Sequence, residues 1–482
     1  MGLRIIGLKT KFLSLIFGLA YFFGLFFPPC PVFPQIKPLK NDTPLIRDIK
    51  KHINYLGSDS LTGRSTGTRG ARLASVYISK YLKKYNIKPY SSDDTYYQDI
   101  PMYGSIPLAD SRLLLKMESD SINLALDRDY LLFKSGAQTH IASPVPLVFV
   151  GFGIIAPEYD YNDYLSIDVS GKIVVYLEGE PEYDDPAYFD GKNPTVYSYP
   201  ESKQRIAISR GAIGSIMIPL NRDAGLKKWA EYRKTFSFED VTLAYRVTGH
   251  LGLILNPSLT DKIFSGSAYN FKDIINQVKN HQLRSFQLNV RLSFKGRFQE
   301  REFIGRNVAG LIRGSDPELN DTYIILSAHY DHLGIGAAIH GDSIYNGIND
   351  NALGVAAVLE IARLISKSER QPRRSVLFLF LTGEEKGLLG SKYYVDHPIV
   401  PLYKTIADIN VDGIAILDTF KDIICIGCEF SSMEEIVEAI GRMNGLHLSP
   451  LPPQFLGFES FARSDQIAFA QGGIPSILIS EG

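Results

Sequence analysis

The chain contains little cysteine: three residues in 482, at positions 30, 425 and 428. So few thiols exclude the disulfide framework of small secreted domains, which requires a dense set of cysteines. Cys425 and Cys428 form a C-x-x-C pair, but no second pair accompanies them, so a structural zinc site is not indicated. Residues i and i+3 of a strand point to opposite faces. We therefore predict two separate core thiols, with a redox pair as the alternative.

Neither sign of charge is in excess. The chain has 51 Lys and Arg against 52 Asp and Glu, a formal net charge of −1, and no long basic run. Because nucleic-acid binding requires a basic surface, we predict no nucleic-acid partner. The 27 Tyr and 27 Phe are scattered through apolar runs, as core residues are. No repeat of about 20–50 residues occurs, which excludes a solenoid.

One apolar run, residues 12–27, is long enough to insert into a membrane. Arg4, Lys9 and Lys11 precede it, and two prolines follow it. A basic start followed by an apolar run is typical of a signal peptide. No clear small-x-small cleavage site follows, and the run approaches spanning length. We predict that residues 1–35 form a signal peptide or an N-terminal anchor, and that the protein is periplasmic, extracellular or attached to the membrane through residues 12–27.

The length of the chain indicates more than one domain, because single cores rarely grow beyond about 250–300 residues. Residues 139–285 contain short β-type runs separated by Gly, Pro and Asp clusters. The chain after them alternates strand-like and helical stretches. We predict one domain formed by residues 36–138 and 286–482, interrupted by a β-rich domain inserted at 139–285.

Two continuous apolar runs, 323–328 and 376–382, are typical of strands buried on both faces. The stretch 352–365 between them has apolar residues at helical spacing, which predicts a β-α-β unit. Further strands are predicted at 406–411 and 475–480, and further helices at 388–395 and 433–443. The predicted fold class is α/β, with a mostly parallel, doubly wound sheet and helices on both faces.

Polar clusters lie where these elements begin or end: His329-Tyr-Asp331, Asn349-Asp350-Asn351, Glu384-Glu385 and Asp412. Zinc binds imidazole nitrogen and carboxylate oxygen. The predicted metal ligands are His329, Asp350, Glu385 and Asp412. Asp350 is the candidate bridge, since two adjacent cations require a shared carboxylate. Each cluster alone has an ordinary interpretation as a surface turn, an N-cap or a solvated helix start. Together they indicate a site, because open α/β sheets bind ligands at the carboxyl ends of their strands.

Two further carboxylates have predicted roles beside the metal. The adjacent side chains of Glu384 and Glu385 point in different directions, so one can bind metal while the other accepts a proton from water. We assign Glu384 as the general base, although spacing alone allows the reverse. Asp331 lies two residues after His329, on the same face of a strand, and is predicted to orient its imidazole.

These motifs resemble those of the co-catalytic di-zinc aminopeptidases of clan MH, in the larger form with an inserted protease-associated domain. The resemblance also includes residues 61–70 before an amphipathic helix, Ser464-Asp465, and residues 473–475. Segments 151–158 and 168–175 resemble the protease-associated domain, which contributes no catalytic residue and covers the active-site cleft or influences substrate access.

The resemblance implies a zinc exopeptidase fold and assigns the ligands. His329 and Asp412 would bind one zinc ion, Glu385 the other, and Asp350 both, with Glu384 as the base. Family members have a further His ligand after the Gly-Ile-Pro strand, where this sequence reads Ser-Glu-Gly to position 482. We expect one metal site to lack this ligand in the sequence given and the protein to continue past it. His447 precedes that strand and is not predicted to bind metal.

The predicted reaction is hydrolysis at the N-termini of peptides or proteins with two zinc ions as cofactors. Glu384 would take the proton of a metal-bound water and return it to the leaving amine. Two alternatives remain: a single-zinc enzyme similar to glutaminyl cyclases, and a non-catalytic peptidase-like scaffold for binding or dimerisation. Metal stoichiometry distinguishes the first, and loss of metal ligands would indicate the second. Side-chain preference and oligomeric state do not follow from the sequence.

Overall fold

The computed structural model describes residues 44–90, 94–118, 120–134, 139–191, 194–413, 421–451 and 458–481. The predicted N-terminal segment, residues 1–35, lies outside these ranges. Within them, no helix combines the length and the apolar character needed to cross a membrane.

The helices, in chain order, are α1 (Pro44–Leu56), α2 (Arg69–Lys84), α3 (Pro200–Ser209), α4 (Arg222–Thr235), α5 (Thr260–Ile263), α6 (Phe271–Lys279), α7 (Leu353–Lys367), α8 (Leu389–Asp396), α9 (Met433–Met443), α10 (Phe458–Ala462) and α11 (Gln466–Gln471). A 3₁₀ turn covers Asp59–Arg64, and a π-type turn covers Ile348–Ala352 directly before α7.

The strands are β1 (Lys88–Pro89), β2 (Tyr97–Pro107), β3 (Arg112–Lys116), β4 (Ser121–Leu124), β5 (Tyr130–Lys134), β6 (His140–Phe149), β7 (Ile155–Ala156), β8 (Tyr161–Asn162), β9 (Ile173–Leu177), β10 (Gly214–Ile218), β11 (Asp240–Leu243), β12 (Leu251–Leu255), β13 (Phe286–Lys295), β14 (Phe298–Ile312), β15 (Tyr323–His329), β16 (Gly334–Ile339), β17 (Asp342–Tyr345), β18 (Ser375–Leu381), β19 (Thr405–Asn410), β20 (Asp422–Ile426), β21 (His447–Leu448) and β22 (Ser476–Glu481).

The chain divides into two compact units. The first contains the described residues of 1–102, 303–455 and 460–482, and the second those of 103–302 and 456–459. The predicted insert, 139–285, is shorter than the second unit. The second unit also includes residues before 139, because strands β3 and β5 pair with β13 and β12 of the same sheet.

The sheet of the first unit has a parallel centre. Its strands follow the order β2-β14-β18-β15-β19-β22-β20-β21. Within it, β18, β15, β19 and β22 run parallel, while β14 and β20 are antiparallel to their neighbours β18 and β22. Every residue of β15 and β18 is buried. Burial on both faces explains why these strands read as continuous apolar runs.

Helices cover both faces of this sheet. Successive strand residues point to opposite faces, so Ile324 and Phe378 enter one apolar cluster while Ile325 and Leu377 enter another. Helices α1, α2, α7 and α9 pack in the first cluster, and α8 and α11 in the second. The β15-α7-β18 unit and the doubly wound α/β fold are therefore confirmed.

The second unit has a sheet of its own, with the order β4-β3-β13-β6-β9-β10-β12-β5. Strands β6, β9, β10 and β12 run parallel. Apolar clusters form from alternate side chains of β9: Val175 enters one and Val174 the other. The similarity of this unit to a protease-associated domain stays a prediction.

The prediction of two separate core thiols is wrong, because Cys425 and Cys428 form a disulfide. Strand β20 ends at Ile426, and Gly427 adopts a left-handed φ of 88°. The chain turns there and brings the two cysteine Cα atoms to 5.6 Å. The opposite-face rule applies only within a continuous strand.

Replacing Phe378 by Ala should lower the free energy of unfolding by about 3–5 kcal/mol, because the ring is fully buried in the centre of the sheet and its removal leaves a cavity. Urea denaturation measures the change. Tyr403→Ala is the control: this ring is 84% exposed, and its loss should cost less than about 0.5 kcal/mol. Similar losses in both variants would contradict the assigned core.

Candidate metal centre

The predicted polar clusters meet at one edge of the first unit's sheet. His329 is the last residue of β15, Glu384 and Glu385 follow β18, and Asp412 follows β19. These three strands are parallel neighbours, so their carboxyl ends lie side by side. Asp350 reaches the same place from the π-type turn before α7. The four predicted metal ligands are therefore brought together.

The first donor group consists of His329, Asp350 and Asp412, whose candidate ligand atoms all lie within 4.8 Å of one another. Nε2 of His329 is 3.1 Å from Oδ1 of Asp350 and 3.0 Å from Oδ1 of Asp412. His329 is fully buried, and Asp412 is 14% exposed. One imidazole nitrogen thus faces two carboxylate oxygens.

The second donor group consists of His332, Asp350 and Glu385. Nδ1 of His332 is 2.5 Å from Oε1 of Glu385 and 4.0 Å from Oδ2 of Asp350. Asp350 therefore directs one oxygen to each group, as a bridging carboxylate requires. His447, by contrast, lies exposed in β21 and belongs to neither group.

His332 was missed in the sequence, where one site was expected to lack a histidine. The available signal was its position in the run His-Tyr-Asp-His, which contains His329 and Asp331 as well. Strand β15 ends at His329. Beyond that point strand periodicity no longer indicates direction, so the approach of His332 to Glu385 could not be derived from spacing.

Asp331 orients His329 in a different way from the one predicted. Nδ1 of His329 lies 3.1 Å from the backbone carbonyl of Asp331 and 3.8 Å from its Oδ1. The carboxylate instead accepts hydrogen bonds from the Thr66 hydroxyl at 2.8 Å and the Glu384 backbone N–H at 3.2 Å. Asp331 therefore links the imidazole, through its carbonyl, to the loop that carries Glu384.

Glu384 lies beside the donor groups but belongs to neither. Burial raises the pKa of its carboxyl well above the ordinary value, and the charges of Asp412, Asp465 and Glu385 add to this, while His329 opposes it. A carboxyl group in this environment holds a proton more readily than an exposed one. That property suits a general base.

Negative charge is in excess at the centre. Carboxylates of six residues interact here: Asp331, Asp350, Glu384, Glu385, Asp412 and Asp465. Burial lowers the pKa of His329, but Asp412, Glu384 and Asp350 outweigh it and raise that pKa well above its ordinary value. Burial likewise raises the pKa of Asp465 to about 7. The shift of His329 offsets negative charge around it, whereas that of Asp465 comes mainly from burial.

The donors present fit divalent zinc. With Nδ1–H of His329 directed to a carbonyl, one proton on Nε2 cannot serve two carboxylate oxygens at once, whereas a cation can contact all three donors. Oδ1 of Asp350 is buried and accepts no well-formed hydrogen bond from the described residues. Imidazole and carboxylate are donors that zinc accepts. The excess of carboxylates matches the charge of divalent ions.

Oδ2 of Asp412 is the end of a chain of hydrogen-bonded polar side chains. The Ser464 hydroxyl donates to its Oδ2 at 2.5 Å, and Nδ2 of Asn410 lies 2.8 Å from the Ser464 oxygen and 3.1 Å from Oε1 of Gln466. This leaves Oδ1 of Asp412 for His329. Ser464, from the Ser464-Asp465 motif, therefore stabilises the candidate ligand Asp412 through the oxygen that does not contact His329.

The fold is α/β, and the two donor groups at the carboxyl ends of its strands suit divalent metal ions. Residues 307–481 match the sequence model of peptidase family M28. The matched region contains every residue of both donor groups.

Relatives match over limited regions. The chain is 29% identical over 125 residues to a vacuolar membrane protease of Verticillium alfalfae, a match that covers 23% of this chain and 11% of that protein. It is 36% identical over 111 residues to leupeptin-inactivating enzyme 1 of Streptomyces exfoliatus, covering 23% of each. The matches thus span less than a quarter of either relative.

The fold extends further than these matches. An aminopeptidase from Aneurinibacillus sp. strain AM-1 is similar with a TM-score of 0.53 and 18% identity, covering 90% of this chain and 85% of that chain. At this level of identity the similarity establishes the fold.

Ser464→Ala removes the hydroxyl that holds Oδ2 of Asp412. We expect zinc affinity to fall about tenfold or more, because hydrogen bonds behind a metal ligand are typically worth about 10–100-fold in affinity. Competition with a chromophoric chelator measures it. Ser75→Ala is a matched control, since this serine is 1% exposed and donates to a carbonyl of its own helix. Equal zinc affinity in the two variants would contradict the supporting role.

Proposed function

We propose that this protein is a zinc-dependent aminopeptidase that hydrolyses the first peptide bond of its substrate. The observation that carries the proposal is the division of labour among the carboxylates: Asp350 is common to both donor groups, whereas Glu384 belongs to neither. A shared carboxylate suits two adjacent cations, and a free carboxylate beside them suits a general base. The M28 match of residues 307–481 supports the same reaction class.

Each donor group would hold one zinc ion, with Asp350 in contact with both. Bound zinc supplies Lewis-acid activation of the scissile carbonyl and of water. Each group offers three protein ligands, so a tetrahedral arrangement leaves a position for substrate. The carbonyl of Asp331 keeps His329 in the orientation that presents Nε2 to the first group.

Glu384 would perform the proton transfers. Its carboxylate accepts a proton from the attacking water and then donates it to the amine of the departing peptide. The backbone N–H of Glu384 donates a hydrogen bond to the Asp331 carboxylate. This bond fixes the backbone that carries the Glu384 side chain and does not involve its carboxylate. Neighbouring Glu385 points to His332 instead, so the adjacent glutamates serve separate purposes.

The charge of the centre favours the N-terminus of a peptide over its C-terminus. Three of the six carboxyl groups at the centre, Asp331, Glu384 and Asp465, lie outside both donor groups, so their charge when ionised is not taken up by metal. The remaining negative charge attracts a free α-ammonium group and repels an α-carboxylate. We therefore propose amino-terminal residues of peptides as substrates.

We also propose that the enzyme works outside the cytoplasm. The disulfide between Cys425 and Cys428 supports an oxidising compartment, because cytosolic thiols are kept reduced. The basic start and apolar run of residues 12–27 support export or membrane attachment. A relative bears the name vacuolar membrane protease, which agrees with either location.

Glu384→Gln should lower kcat on an amino-acid p-nitroanilide by about 10²–10⁴-fold, because the amide cannot accept the proton. Zinc content, measured by mass spectrometry, should stay unchanged. Glu434→Gln, at an exposed position in the first turn of α9, is the control and should keep full activity. An N-acetylated substrate should not be cleaved by the unaltered enzyme. Full activity of Glu384→Gln would refute the assigned base.

His332→Ala should reduce the zinc content from about two ions to about one per chain, because the second donor group loses its only imidazole. Equilibrium dialysis with metal analysis measures the stoichiometry. His340→Ala, exposed between β16 and β17, is the control and should bind as many ions as the unaltered chain. One ion in the unaltered chain would favour the glutaminyl-cyclase-like alternative, and two ions in His332→Ala would exclude His332 as a ligand.

A further inference from the structure

We propose that Arg64 is the positioning residue that joins the two loops carrying the metal donors and fixes their spacing before metal binds. This inference rests on the proposed metallopeptidase function. Arg64 belongs to the segment 61–70, which is part of the family resemblance but has no role assigned by it. The side chain of Arg64 has no exposed surface.

Four backbone carbonyls accept hydrogen bonds from this one side chain. Nε donates to the carbonyl of Tyr330 at 2.8 Å, Nη1 to Asn346 at 2.7 Å, and Nη2 to Gly347 at 2.8 Å. Nη1 also donates to the carbonyl of Leu56, the last residue of α1. Arginine has five N–H donors in a planar fork, so one rigid group can reach three separate segments.

The positions of these carbonyls in the chain explain their importance. Tyr330 lies between His329 and Asp331, in the loop that also carries His332. Asn346 and Gly347 lie just before Asp350. The fork therefore connects the end of β15 and its following loop, which supply the two imidazoles, to the loop that supplies the candidate bridging carboxylate. A change in the distance between these loops would alter both donor groups at once.

Gly347 shows how closely these loops approach. Its φ of 58° is left-handed, and a Cβ there would lie 2.4 Å from the carbonyl oxygen of Asp350 and 2.5 Å from the ring of His332. The hydrogen bond from Arg64 thus holds the backbone at the point where His332 and Asp350 come together. Only glycine permits both this conformation and this approach.

Charge adds to the geometric role. No carboxylate among the described residues forms a direct ion pair with Arg64, yet Asp331, Asp350 and Glu385 are close enough for their charges to act on it. A buried cation is costly unless it is compensated. Here the surrounding carboxylates compensate it, and it in turn reduces their mutual repulsion. Lysine would keep the charge but present a single point donor in place of the fork.

The local backbone explains why Arg64 can enter the interior. Thr62, Gly63 and Arg64 all have positive φ, so the 3₁₀ turn reverses sharply. A Cβ on Gly63 would lie 2.4 Å from the Tyr345 carbonyl and 2.6 Å from that of Gly334, which shows that the turn packs against β16 and β17. Two residues later, the Thr66 hydroxyl donates to the Asp331 carboxylate. The same segment therefore contacts the centre through two side chains, Arg64 and Thr66.

The test compares Arg64→Lys and Arg64→Gln with the unaltered full-length chain. Zinc affinity and stoichiometry are measured by chelator competition, and Co²⁺ is substituted to record the ligand-field absorption bands. We expect zinc affinity to fall at least about tenfold in both variants, with altered Co²⁺ bands, because both donor groups lose their fixed spacing. Arg363→Lys is the matched control: its guanidinium is largely buried and pairs with Glu360 on α7, away from the loops.

The outcomes separate this inference from the proposed function. If the unaltered chain binds no zinc, both fail. If it binds zinc and the Arg64 variants bind equally well with unchanged Co²⁺ bands, the function stands and the positioning role is overturned. An equal loss in Arg363→Lys would also overturn it, since general destabilisation would then be the cause.

A measurement on the metal-free unaltered chain covers the case in which the variants do not fold. The amide of Ala352, which donates to the same Gly347 carbonyl that Arg64 binds, should exchange hydrogen slowly without zinc, because Arg64 already holds this loop. Exchange as fast as that of an unstructured loop would overturn the proposal. Slow exchange that persists without metal would support a centre fixed in advance.

Discussion

The repulsion among carboxylates gathered around Asp350 is the constraint on which the first unit's architecture depends. Parallel strands bring their carboxyl ends to one edge, so residues from distant parts of the sequence converge with like charge. Without compensation such a cluster would be unstable in a partly buried place. The raised pKa of His329, which the nearby carboxylates cause against the effect of burial, shows the compensation that a proton provides. Divalent cations would provide more of it.

The rigidity of the centre comes mainly from backbone groups. The carbonyl of Asp331 orients His329, and carbonyls of Tyr330 and Gly347 receive the buried guanidinium of Arg64. Side-chain hydroxyls complete the arrangement, with Ser464 behind Asp412. Because these partners belong to the loops themselves, donor spacing is coupled to loop conformation. The carboxylate of Glu384, which belongs to neither donor group, lies beside these fixed loops.

Much of the fold and of the centre could be predicted, and the failures have identifiable causes. Strands β15 and β18 are buried on both faces, so their apolar runs are unambiguous. Donor residues at strand ends could be recognised by chemical type. His332 was missed because the chain leaves strand geometry after β15, and the disulfide of Cys425 was missed because Gly427 reverses the chain. Strand pairing across long sequence separations also moved the boundaries of the second unit.

The sequence by itself determined the α/β class, the parallel centre of the sheet and four of the five donor residues, because apolar periodicity and ligand chemistry are local properties. It could not decide which donors share an ion or which carboxylate remains free. Only the tertiary structure brought His332 to Glu385, gave each oxygen of Asp350 a separate partner and buried Arg64 between the loops. Those relations depend on loop directions in space, which arise from packing between segments far apart in the chain.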